Sequence, residues 1–235
     1  MDLGLAGKVA IVTGGSRGVG RAIAAALLRE GARVVISARD PERLEATRAA
    51  LAQETGGEVR AKTADLGRDA DAKALIDATR ATFGHLDILV NNAATVMPAD
   101  FLTLTEERWA EVFEQKVNGY VRCLRHAIPA MKGKGWGRII NLSGLAGREP
   151  GNSMVPVGVN NAAVLNLTKA LARDLAPEHI LVNAVVPTSS TRTSRRKPCA
   201  ASRPWLASRR WRSGQSGLPR SPYAGWGART KSPPW

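Results

Sequence analysis

Eight residues carry the densest chemical signal in this chain: Thr13-Gly14-Gly15-Ser16-Arg17-Gly18-Val19-Gly20. Glycines let a backbone approach a phosphate closely. A helix starting beside them would aim its free N–H groups and positive dipole end at that anion. A glycine spacing alone is also that of an ordinary tight turn. The flanks favour the phosphate reading. Lys8-Val9-Ala10-Ile11-Val12 is a β-branched run of the kind found in buried parallel strands, and Arg21 to Glu30 carries apolar residues at helical spacing.

The elements around this segment repeat its pattern. Arg33-Val34-Val35-Ile36-Ser37 predicts a second strand, and Pro41 to Gln53 a helix opened by Asp40. Glu58 to Thr63 predicts a third strand, 69–83 a helix, and Leu86-Asp87-Ile88-Leu89-Val90 a fourth strand. Thr105 to Met131 reads as one long helix, with Glu106 and Glu107 in its first turn where the dipole favours acids. Arg138 to Leu142 is a fifth strand, Val155 to Leu175 a second long helix, and His179 to Val186 a sixth strand. Alternating strands and helices of these lengths predict an α/β domain, a doubly wound parallel sheet of the Rossmann fold with right-handed crossovers.

Composition divides the chain in two. The net charge of +14 is a property of the end: residues 189–235 hold 11 basic residues and no acid, which leaves 23 basic against 20 acidic residues elsewhere. From 187 onward there is no Val, Ile, Phe, Met, Asp or Glu, while four of the six tryptophans fall there. Such a stretch buries too little aliphatic surface to offset its ordering entropy, so disorder is expected. The expected organisation is a dinucleotide-binding domain over 1–188 and a basic tail over 189–235. Cys123 and Cys199 make no disulfide framework, and no signal peptide or membrane span is visible, so a cytoplasmic location is expected. His85, His126 and His179 lack metal-ligand spacing, and Cys123 reads as a small core residue, so no metal is expected.

Several motifs in order resemble the short-chain dehydrogenase/reductase family, and among its members those similar to 3-oxoacyl-ACP reductases. Thr13 to Gly20 resembles its Thr-Gly-x-x-x-Gly-x-Gly fingerprint. Asp65 in Ala64-Asp65-Leu66 stands where the family binds adenine, and Asn91-Asn92-Ala93-Ala94 resembles its Asn-Asn-Ala-Gly strand end. Asn118 in Val117-Asn118 matches the helix asparagine of its active site. Asn183-Ala184-Val185-Val186-Pro187 resembles the strand before its Pro-Gly turn, with Thr188 in place of the glycine. The resemblance covers about 5–190. It implies a nicotinamide dinucleotide held by Thr13, Gly14, Ser16, Arg17, Gly18, Val19, Gly20, Arg39, Asp65, Leu66, Asn91, Ala93 and Asn161. It also implies a small-molecule carbonyl or alcohol substrate, and a homo-oligomer paired through the long helices.

NAD-preferring dinucleotide folds place an acid at the end of the second strand, for the ribose 2′-hydroxyl. Here that position reads Ala38-Arg39. Arg17 and Arg39 together suit a 2′-phosphate through forked, charge-assisted hydrogen bonds, so NADP(H) is expected over NAD(H). Asp40 is the neighbouring acid that leaves NAD(H) open.

The catalytic positions depart from the family, whose members use Ser, Tyr and Lys with Tyr-x-x-x-Lys on the long helix. The family lysine precedes an Ala-Ala run, and Asn161-Ala162-Ala163-Val164 supplies that run. Asn161 therefore falls at the lysine position, Val157 at the tyrosine and Gly144 at the serine. Ser143 is one residue off, which on a strand turns it to the other face. In the family the tyrosine hydroxyl moves the substrate proton, and the lysine lowers its pKa from about 10. Val157 has no proton and Asn161 no charge, a loss on the order of 10²–10⁴ in rate. Tyr120 and Tyr223 are not placed to substitute, whereas Asn161 can still hydrogen-bond a ribose.

The tail bears on the fold. Back-translating Ala224 to Trp235 with GC-rich codons and reading two bases later gives RMGRPDEVAAV, which resembles the family's Gly-Arg-Pro-x-Glu-Val-Ala stretch. A shifted frame would explain why aliphatics and acids vanish together. On this expectation the family's last strand and the helix covering its substrate cleft are missing, and the sixth strand is an exposed edge. Three readings follow. The first is an NADP(H)-dependent oxidoreductase. The second is a catalytically inactive dinucleotide-binding homologue with a regulatory or structural role. The third, nucleic-acid binding through the tail, is disfavoured because shifted codons explain its arginines.

Overall fold

The computed structural model describes residues 2–94 and 99–187. The expectations for Thr188 and for the tail over 189–235, Tyr223 and Cys199 among them, lie outside these residues. So does the expectation of a missing last strand.

Six parallel strands form one sheet in the order β3-β2-β1-β4-β5-β6. They are β1 (Val9–Thr13), β2 (Arg33–Ala38), β3 (Val59–Thr63), β4 (Ile88–Asn91), β5 (Gly137–Leu142) and β6 (Ile180–Val185). The helices between them are α1 (Gly18–Arg29), α2 (Pro41–Thr55), α3 (Asp69–Phe83), α4 (Glu106–Phe113), α5 (Gly119–Met131) and α6 (Val155–Leu175). All five residues of β1 are buried, as its β-branched run requires of a central strand. Its alternate side chains feed two cores. Ala10 and Val12 join Ala24, Leu28, Leu44 and Leu51 of α1 and α2. Val9 and Ile11 join Leu75, Ile76, Leu124 and Met131 of α3 and α5 on the opposite face. The sheet is therefore covered on both sides, and the chain reverses its direction of travel between β1 and β4.

Local chemistry sets several boundaries. Asp40 caps α2 by accepting from Arg43 N at 3.1 Å, and Gly56 closes that helix in the left-handed region at φ 66°. Asp87 anchors the bottom of the sheet: its carboxylate accepts from Val9 N at 2.8 Å and stands 3.1 Å from His85 Nε2. His126 pairs with Asp69 at 3.0 Å, so both histidines serve the surface.

One expectation is corrected. Residues 105–131 are not one regular helix: Thr105 is the cap, and a π turn over Glu114–Asn118 separates α4 from α5. A π turn carries one extra residue per turn and re-aims the side chains within it. Among the described residues β6 is an edge of the sheet, and no described helix is long and apolar enough to cross a membrane.

Candidate functional site

In an open parallel sheet, ligands bind beyond the C-terminal strand ends where the strand order reverses. Here that crevice lies beyond β1 and β4. The glycine loop after β1 is locked by close backbone packing. Gly14 lies in the left-handed region at φ 64°, and a Cβ on it would come within 2.9 Å of Ala93 Cα. A Cβ on Gly20 would stand 2.3 Å from Gly14 O. Thr13 Oγ1 donates to Val90 O at 3.3 Å and accepts from Asn92 N at 2.9 Å and Ala93 N at 3.1 Å. Asn92 Nδ2 donates to Thr13 O at 2.9 Å and Gly14 O at 3.2 Å. Thr47 Oγ1 donates to Ser16 O at 2.9 Å.

The residues fit a dinucleotide phosphate. The N-terminus of α1 has no side-chain cap and no acid in its first turn. A Cβ on Gly18 would meet no atom within 4 Å, and Arg17, Gly18 and Val19 are exposed there. The first-turn N–H groups thus face open space with their dipole unopposed.

Arg39 is exposed just beyond β2, and neither Arg17 nor Arg39 forms an ion pair among the described residues. Asp40 is engaged with its own helix, since its other carboxylate oxygen lies 3.0 Å from Arg43. Asp65 is half-buried beyond β3, where its Oδ1 accepts from Gly67 N at 3.0 Å. Leu66 gives its side chain to the core and its carbonyl to Arg122 at 3.1 Å, so it presents no side chain to a ligand. Asn91 is likewise fully buried. Its Nδ2 donates to Asn141 Oδ1 at 2.9 Å, and Asn141 Nδ2 donates to Thr168 Oγ1 at 3.0 Å. This chain ties β4, β5 and α6 together beneath the crevice and keeps the Asn91 side chain out of it.

Gly144, Val157 and Asn161 gather at the end of β5 and the start of α6. A Cβ on Gly144 would lie 2.8 Å from Asn161 Nδ2. Ser143 Oγ donates to Asn161 O at 3.0 Å, while Val157 and Asn161 are buried. Asn118 makes its side-chain hydrogen bond to Glu114. Its Nδ2 donates to Glu114 Oε1 at 2.6 Å, and Glu114 also holds Arg122 at 2.7 Å, which draws the Glu114 carboxyl below its usual range. Lys116, two residues earlier on the π turn, bonds to the cluster: its Nζ donates to Asn161 Oδ1 at 2.6 Å. Burial pushes its ammonium down to about 8. Tyr120 lies under it, with the Lys116 Nζ 5.9 Å from the ring centroid. The Tyr120 hydroxyl donates to Leu142 O at 3.1 Å, and burial raises its pKa. Cys123 is buried and pushed up to about 12, an inert core thiol.

Sequence reasoning missed two residues here. Asn92 staples the glycine loop across 79 positions of chain; its only signal is its place beside Asn91 in the motif. Lys116 meets Asn161 across 45 positions, and only a π turn aims it there.

A family described as short chain dehydrogenase matches residues 8–203. The chain is 37% identical over 188 residues to the rhamnolipids biosynthesis 3-oxoacyl-acyl-carrier-protein reductase of Pseudomonas aeruginosa, a match covering 78% of this chain and 73% of that protein. Among solved structures it resembles the L-sorbose reductase of Gluconobacter frateurii complexed with NADPH and L-sorbose. That match has a TM-score of 0.77 at 34% identity, and covers 80% of this chain and 71% of that one. It also resembles an NAD+-bound xylitol dehydrogenase, with a TM-score of 0.75 at 30% identity over 78% of this chain and 71% of that one.

Proposed function

The chain belongs to the short-chain dehydrogenase/reductase family, and on that premise we propose that it binds NADP(H) and interconverts a small carbonyl compound and its alcohol. When bound, the reduced dinucleotide supplies a hydride. The protein holds the phosphates on the loop over 13–20 and at the start of α1. The observation that carries the NADP(H) preference is the pair of unpaired guanidiniums, Arg17 and Arg39, beside an Asp40 whose carboxylate is occupied by Arg43. A free 2′-hydroxyl would want that carboxylate, whereas a 2′-phosphate wants the guanidiniums.

Fluorescence titration tests this reading. NADPH should bind more tightly than NADH, and Arg17→Ala with Arg39→Ala should abolish the difference. Equal affinity for the two in the unaltered protein contradicts it.

A second reading keeps the binding and omits the turnover. The observation favouring it is the cluster of Gly144, Val157 and Asn161, which carries no ionisable side chain of its own. On that reading, reduction of carbonyl substrates emerges only after Gly144→Ser, Val157→Tyr and Asn161→Lys are combined. Turnover by the unaltered chain excludes it. We also place the contact between copies on the outward faces of the long helices, where Val155 and Val159 are exposed on α6; light scattering that gives a monomer rejects this.

A further inference from the structure

Lys116 is an unusual lysine. It sits partly buried against Asn161 near the start of α6, and among the described residues no carboxylate pairs with it. Its hydrogen-bond partner is a neutral amide, Asn161 Oδ1 at 2.6 Å. A desolvated ammonium without a counter-charge is unfavourable, and structural lysines avoid it. Its position is also held firmly. The Asn161 backbone carbonyl accepts from Ser143 Oγ at 3.0 Å, and a Cβ on Gly147 would fall 2.7 Å from Asn161 Cβ, so the root of that side chain is closely packed. The π turn separates Lys116 from the acid beside it, because Glu114 is spent on Asn118 and Arg122. Single π turns inside α-helices are frequent at functional sites.

We propose that Lys116 is the proton donor of the reaction, reaching the crevice from the π turn to serve a step for which positions 144, 157 and 161 hold no ionisable group. The assignment rests on the dinucleotide reading above. In the reducing direction the carbonyl carbon gains a hydride, and Lys116 Nζ gives one proton to the carbonyl oxygen. The products are the alcohol, the oxidised dinucleotide and a neutral Lys116 amine, which regains its proton from water. In the oxidising direction the neutral amine accepts the hydroxyl proton. Asn161 Oδ1 orients Nζ, a positioning role.

The amine suits the task, since burial brings its titration to about 8 and no charged neighbour contributes to that shift. From α6 it faces Asn161, which does not titrate. From α5 it faces Tyr120, whose hydroxyl is held by Leu142 O. Glu114 and Arg122 pair with each other beside the same turn.

The experiment compares the unaltered protein with Lys116→Met and Lys116→Arg, each full length. NADPH affinity is read by fluorescence, reduction of ethyl acetoacetate and L-sorbose by NADPH consumption, and Lys116 acetylation by mass spectrometry with and without NADPH. Lys116→Met should keep NADPH affinity within about twofold and lose at least about 100-fold in kcat. Lys116→Arg keeps the charge and the bond to Asn161 but releases no proton. It should fall comparably, and the alkaline decline near pH 8 should disappear. Full kcat in either variant overturns the assignment. If the unaltered protein reduces neither substrate, acetylation decides. Slower acetylation of Lys116 with NADPH supports the assignment, and an unchanged rate overturns it. NADPH that fails to bind the unaltered protein refutes the dinucleotide reading itself, and the assignment falls with it.

Discussion

The loop after β1 and the cluster after β5 lie at the same end of one sheet, and they are built on different principles. The first is made of backbone. Gly14, Gly20, Thr13 and Asn92 hold one another at contact distance, so the residues proposed to cradle a phosphate are also those that let β1, β4 and α1 pack. A change there damages fold and function together. The second is made of side chains on a scaffold secured from beneath by Asn91, Asn141 and Thr168. Gly144, Val157 and Asn161 stand outside that ladder, although Val157 and Asn161 are themselves buried. A proton donor can also enter from another helix, as Lys116 does. A nucleotide cradle resists substitution, whereas a proton-transfer group needs one side chain in one place.

The largest expected effect breaks the second region alone. Lys116→Met should lower kcat on the order of 10²–10⁴ while NADPH affinity holds, as steady-state rates and fluorescence would show. Gly20→Ala breaks the first region. Its Cβ would enter the space of Gly14 O at 2.3 Å, and overpacking of this kind destabilises by about 1–3 kcal/mol. Thermal melts and NADPH titration should deteriorate together, and a stable variant with intact binding would show that the loop yields more than its packing allows.

The third prediction sharpens the comparison through pH. The Lys116 pKa is lowered from 10.5 in the unfolded chain to about 8. Between those values the unfolded state binds more protons, so stability rises with pH across that window, and the deficit is complete below pH 8. It amounts to about 3 kcal/mol, offset in part by the bond to Asn161, worth about 1 kcal/mol. Lys116→Met should therefore melt higher than the unaltered protein at pH 7, and the gap should close toward pH 10.5. A variant that melts lower at pH 7 would make Lys116 a stabilising residue. The smallest effect is Asp40→Ala, which removes the cap of α2 and should destabilise by about 1 kcal/mol without altering the preference for NADPH over NADH. Improved NADPH selectivity in this variant would mean that the carboxylate reaches the ribose after all.

How much of this was readable in the chain follows the same division. The helices at Asp69–Phe83 and Val155–Leu175 match their expected spans, because period and flanking residues fix them locally. The glycine loop was legible because strand, turn and helix are contiguous. The stretch over 105–131 reads as one helix because a single extra residue hardly disturbs a 3.6 period, although the π turn over Glu114–Asn118 breaks it. Asn118 was favoured by motif and lies on Glu114; Lys116 had no motif and lies on Asn161. The Asn91 side chain is tied into a buried ladder to Asn141, a pairing across 50 positions that no local pattern announces. Contacts between segments far apart in the chain are not written in local pattern.

The most direct measurement is a titration of the Lys116 amine by NMR after isotopic labelling of the lysines, assigned with Lys116→Arg. The account predicts a midpoint near 8, well below that of the surface lysines, which moves when NADP+ is added. A midpoint in the ordinary lysine range that ignores the dinucleotide would contradict it.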